Sequence, residues 1–179
     1  MTGRNTFPLL VIVISVLGAV VVTSSTSAAI VYDHGPSASG AGTFTFLNSA
    51  EQTELWSFSF EAIANKNGQA RGRAEFDDLI TQTHTVVRIN CLSVHSAFGT
   101  DFAVISGWVL HSDNPRLPKR HKVIFAATDG PFLPFTGSDT ITPLSVLISV
   151  PEADCHNTQP LNILPLENGD IQIQPSAQN

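Results

Sequence analysis

From Thr43 onward, apolar and polar positions alternate with a period of two, the signature of strands with one buried face. Thr43–Phe46 is the first such run. Leu55–Ile63 places Trp56, Phe58, Phe60 and Ala62 on one face, with Ser57, Ser59 and Glu61 on the other. The turn Asn65-Lys66-Asn67-Gly68 tolerates positive φ and leads into Gln69–Phe76, where Ala70, Gly72, Ala74 and Phe76 alternate with Arg71, Arg73 and Glu75. Thr83–Val94 carries Val87, Ile89 and Cys91 on one side. Asp101–Leu110 is apolar on both faces, with Phe102, Val104, Trp108 and Leu110 against Ala103, Ile105 and Val109. Such a strand is covered on both sides or runs beneath a loop. Lys122–Thr128 follows. Beyond Gly130, prolines cut the pattern: Thr140–Val150 reads as an interrupted edge strand and Asp170–Gln174 as a short last one. Ala50–Leu55 is the one place where a helical turn is expected. Hairpin-linked strands at a spacing of about 8–15 residues predict an all-β fold, an antiparallel meander closing into a barrel or a two-sheet sandwich. Either closure protects the sheet edges.

The first segment has a different texture. Arg4 precedes an uncharged run, Leu9–Val22, followed by the small residues of Thr23–Ala29. A basic start, a short apolar run and a small-residue cleavage region compose a secretory signal peptide. Ser27 and Ala29 occupy the −3 and −1 positions of a cut after Ala29. The alternative is an uncleaved anchor, for which the apolar run is short against the roughly 20 residues of a spanning helix. The chain therefore divides into a signal at 1–29, a glycine-rich flexible lead-in at 30–42, a β domain at 43–174 and a frayed tail at 175–179. Both readings place the domain outside the cytoplasm, secreted or held at the cell surface, and confine membrane contact to the N-terminal segment.

Composition then narrows the partners. About 150 residues after the signal make one domain that buries roughly 70% of its unfolded surface. The net charge of −6 disfavours nucleic acid and anionic lipid, which are bound by excess Lys and Arg. Two cysteines, Cys91 and Cys155, in an exported chain suggest a disulfide. The loop closed is about 64 residues, worth about 4 kcal/mol in the chain-entropy picture. Two free thiols, one of them inside a strand, are the alternative.

The phrases Gly42–Phe46, Trp56–Ala62, Ile89–Val94 and Ala103–Val109 resemble small secreted bacterial proteins of unknown function, which pair a signal peptide with a β meander. The resemblance spans roughly residues 42 to 130 and implies an exported β fold. It implies no activity.

No motif assigns catalysis. The six histidines show neither an i, i+4 helical pair nor H-E-x-x-H, and Cys155-His156 lacks C-x-x-C spacing, so no metal site and no cofactor are assigned. Strand parity groups His84 with Arg88, and His95 with His111 if their strands pair. A two-histidine site across neighbouring strands competes there with plain surface histidines. Gly137-Ser138-Asp139 lacks the nucleophile elbow, and Cys91 lies in an apolar strand. Asp77, Asp78, Asp129 and Asp139 fall in loops, where carboxylates hold calcium, serve a hydrolase or simply meet water.

Two features point to binding. Arg116, Lys119, Arg120, His121 and Lys122 form a basic loop on an acidic protein, suited to an anionic partner such as a cell-wall polymer. Phe132 and Phe135 lie in a proline-rich loop, where they cap the core or line the mouth of an apolar cavity. The expected function is a non-catalytic binding or structural module meeting a surface partner through end loops. The alternatives are a carrier of a small apolar ligand and, behind it, a hydrolase built on loop carboxylates.

Overall fold

The alternation seen in the sequence resolves into ten strands in a computed structural model, which describes residues 35–65, 69–97, 99–130, 138–147, 155–156 and 162–176. These belong to the compact unit Val31–Asn179; the segment 1–29, read from the sequence as an export signal, lies outside the described residues. The strands are β1 (Ser37–Leu47), β2 (Thr53–Ala64), β3 (Ala70–Asp78), β4 (Thr83–Ala97), β5 (Thr100–Ser112), β6 (Lys122–Asp129), β7 (Thr140–Ile141), β8 (Ser145–Val146), β9 (Leu164–Pro165) and β10 (Asn168–Gln174). No helix is present among the described residues, so none there is long and apolar enough to cross a membrane.

All ten strands lie in one antiparallel sheet, ordered β10-β1-β2-β3-β4-β5-β6-β7-β9, with β8 on β6. This corrects the barrel expected from the sequence: among the described residues the strands form a single sheet, not two, and its ladder does not close. The free edge of β10 instead meets carboxylates from the far end of the path. Asp139 Oδ2 accepts from Ile171 N at 2.6 Å, and Asp129 Oδ2 accepts from Ile173 N at 3.0 Å. Asp139 Oδ1 also accepts from Gly130 N at 2.8 Å. Side-chain oxygens thus satisfy amides that a backbone ladder would otherwise take, which protects the edge without β-pairing.

Of the stretch read as a flexible lead-in, residues 37–42 are strand, and 30–34 lie outside the described residues. β1 begins at Ser37 and pairs with β2 on one side and β10 on the other. Its small residues serve close approach. A Cβ on Gly42 would lie 2.3 Å from Asn168 O, and Gly169, at φ 110°, would bring one within 2.1 Å of Ala41 O. Only glycine fits both places. The expected helical turn over Ala50–Leu55 is likewise replaced by the β1–β2 turn, with β2 starting at Thr53.

The inward face is a continuous set of rings. Phe44 lies 6.0 Å from Phe58, and Trp56 lies 6.1 Å from Phe76. Phe125 on β6 meets Phe60 at 5.4 Å and Phe76 at 5.2 Å, both edge-on. Each buried ring contributes about 1.5–3 kcal/mol by leaving water. β6 thereby packs across the interior onto β2 and β3.

Two bulges reset the parity of β4 and β5. Ile89 pairs with Gly107 but Cys91 pairs with Ser106, so Asn90 is an extra residue; Val86 pairs with His111 but Val87 pairs with Val109, so Leu110 is another. Past the first bulge, Leu92 takes the inward position and Cys91 turns outward, off the face it shares with Ile89 in a regular strand. There Cys91 is bridged to Cys155, with Cα atoms 5.8 Å apart. Cys155 packs with Val104, Ile124 and Ala126, and with the partly buried Phe102 and Leu147. This second, outer cluster explains why β5 is apolar on both faces: its first half is covered, whereas Trp108 and Leu110 in its second half stay exposed.

Candidate binding face at the loop end of the sheet

The turns 48–52, 79–82 and 113–121 gather at one end of the sheet, because β1, β3 and β5 all run toward it. The deciding residue there is Glu54. It continues the inward parity of Trp56, Phe58 and Phe60 by one step, so a carboxylate sits at the rim of the core with 6% exposure. It accepts from Asn48 Nδ2 at 2.7 Å, from Trp56 Nε1 at 3.1 Å and from the Arg116 guanidinium. A buried carboxylate requires such partners. The same alternation that exposed the aromatic face reaches Glu54, so its role was readable, although it was not singled out.

Arg116 is held by this anchor while most of its side chain stays in water. It lines an open groove of about 520 Å³ with Phe46, Leu47, Asn48, Pro143 and Leu164. A smaller recess of about 160 Å³ continues past Phe46 and Arg116 to Glu54, Trp56 and Leu117. Leu47, Leu79 and Ile80 are exposed at the same end. The other members of the basic loop follow separately. Lys119, Arg120 and His121 are exposed in a turn that returns to β5 through Arg120 N to Val109 O and Val109 N to His121 O. Arg120 has φ 68°. Lys122 is half-buried at the start of β6. The five basic-loop residues are therefore neighbours along the chain, and among the described residues only Arg116 of them lies in the groove wall. Phe132 and Phe135 lie outside the described residues.

The four carboxylates expected in loops do not gather into a site, and three of them end strands: Asp77 and Asp78 close β3 and Asp129 closes β6, leaving only Asp139 in a loop. Asp129 and Asp139 hold β10 at the opposite end. Asp78 caps the β3–β4 turn, accepting from Ile80 N, Thr81 N and Thr81 Oγ1. Burial pushes its pKa up, and the hydrogen bonds from Thr81 and Ile80, aided by the Arg116 charge, outweigh this and hold it below the ordinary carboxylate value. Asp77 points outward and takes His84 Nδ1 at 2.6 Å, and Ser57 Oγ donates to it at 3.4 Å. The order is serine to aspartate to histidine. The hydroxyl touches the acid and not the imidazole, so no base stands beside a nucleophile. Cys91 is in the bridge and is no thiolate. For the same reason the grouping of Cys91, Cys155 and His156 offers no cysteine ligand to a metal.

The histidine pairing expected from parity is corrected. His95 stacks on Phe102 at 5.1 Å and shares a hydrogen bond with Ser93. The neighbour of His111 is His84, with ring centroids 6.3 Å apart.

The fold and this face define a class: an all-β, disulfide-bridged domain of one antiparallel sheet, with a grooved, partly apolar loop end and no converging catalytic set among the described residues. No protein-family model, curated protein or solved structure matches the chain.

Proposed function

We propose that the chain is an exported, non-catalytic binding module that engages an anionic surface partner through the loop end of its sheet. The observation that carries this reading is the groove walled by Arg116, whose guanidinium is fixed on buried Glu54 beside exposed Leu47. A preset cation next to apolar surface suits a polymer with carboxylate groups on an apolar ring face. The ring-filled interior favours this over a carrier, which needs its Phe and Trp side chains around an empty space. The bridged cysteines fit an oxidising, extracytoplasmic setting, and the apolar run after Arg4 fits an export signal.

Polygalacturonate is a direct probe of the groove. Titration calorimetry at low salt should show binding that weakens with ionic strength and falls at least tenfold in R116A. Binding that is absent, or that R116A leaves intact, would remove the reading. Mass spectrometry of the protein from its own culture, without reductant, tests export: a mass of Ile30–Asn179 less two hydrogens is expected. An added small-molecule mass would move the carrier to first place.

A further inference from the structure

We infer that His84 and His111 form a surface site for a borderline divalent metal ion, copper(II) or zinc, on the outer face of β4 and β5. The bulge at Leu110 creates the pair. In an unbroken strand His111 shares the parity of Val109 and points into the core; the extra residue turns it outward, diagonal to His84. Bulges re-aim side chains in this way beside functional sites. Each imidazole already has one nitrogen on a carboxylate. His84 Nδ1 is 2.6 Å from Asp77 Oδ1, and His111 Nε2 is 3.2 Å from Asp113 Oδ1. This leaves His84 Nε2 and His111 Nδ1 without a hydrogen-bond partner among the described residues. A carboxylate hydrogen-bonded to the second ring nitrogen, as Asp77 is to His84, is the arrangement that orients a metal-binding histidine and raises its basicity.

The spacing is close to what a shared ion requires. Metal–nitrogen bonds of 2.0–2.1 Å at a tetrahedral ion place two imidazole centroids about 5 Å apart. The rings stand at 6.3 Å, so about 1 Å of closure is needed. His111, with 61% of its side chain exposed, has room to supply it, while Asp77 fixes His84. Imidazole nitrogen selects copper, zinc and nickel over magnesium and calcium, and copper(II) binds more tightly than zinc. Water completes the coordination at so exposed a place.

The test uses the full chain without a histidine tag. Calorimetry with zinc and with copper(II) should show a single saturable site, copper tighter, and a melting temperature raised by either ion. H84A and H111A should each abolish the site, H84N serving where H84A folds poorly. H95A and H121A should leave it intact. D77N should weaken it about tenfold through His84. No saturable binding at millimolar zinc or copper, or binding that survives H84A or H111A, overturns the proposal; loss with H95A or H121A instead would place the metal elsewhere. D77N without effect would overturn the carboxylate's positioning role.

Discussion

The two ends of the sheet use their carboxylates differently. Where β6 and β7 approach β10, Asp129 and Asp139 give their oxygens to backbone amides and hold an edge that has no ladder partner. At the opposite end, Glu54 and Asp77 hold side chains, Arg116 and His84, that still reach water. A carboxylate spent on backbone amides stabilises the fold and offers nothing to a partner. A carboxylate that fixes an exposed cation or imidazole prepares that group for something outside the molecule.

The bridge between Cys91 and Cys155 lies between these ends, so removing it is the strongest way to ask whether they stand independently. C91A/C155A should lose about 4 kcal/mol, read as a lowered denaturant midpoint, with the loop-end groove still binding its probe in whatever fraction stays folded. D139A acts on the stitched end alone. It leaves the Gly130 and Ile171 amides without acceptors and should cost about 3 kcal/mol, with hydrogen exchange at Ile171 accelerating more than at Phe58. A uniform rise in exchange would show that β10 is not held separately.

The loop end is probed by smaller changes. E54Q retains one carbonyl oxygen for three donors and should cost about 2 kcal/mol, whereas R116Q, losing a mostly exposed cation, should cost less than about 1 kcal/mol. Equal losses would mean the pair acts as a buried ion pair and not as an anchored surface cation. D78N should also be mild, about 1 kcal/mol near neutral pH. Because the folded pKa of Asp78 is depressed, its stabilising contribution is present in full above the unfolded value of about 3.9 and is lost as pH falls through the folded value. The gap between wild type and D78N in thermal melts should therefore close on acidification below that point.

Much of this was legible from the alternation of residues. The inward set Trp56, Phe58, Phe60 and Phe76 follows from period two, and the same rule extends to Glu54. The cover over the first half of β5 followed from its having apolar residues on both faces, although Trp108 and Leu110 further along stay exposed. The basic loop was visible as composition, but its charge count hid a division: Arg116 turns to the groove because Glu54, 62 residues earlier, is waiting there. The glycine-rich opening of β1 looked flexible because its order comes from β10, at the far end of the chain.

What the amino-acid order determined by itself is which residues share a face within each regular run, since side chains alternate strictly along an extended backbone. That rule fails wherever a neighbouring strand forces in an extra residue. Only the tertiary structure placed the bulges at Asn90 and Leu110, and with them the outward turns of Cys91 and His111. Only it decided that the sheet stays open and that aspartate side chains meet β10, because an edge amide buried by folding must find an acceptor, and which acceptor lies within reach depends on strands far apart in the chain.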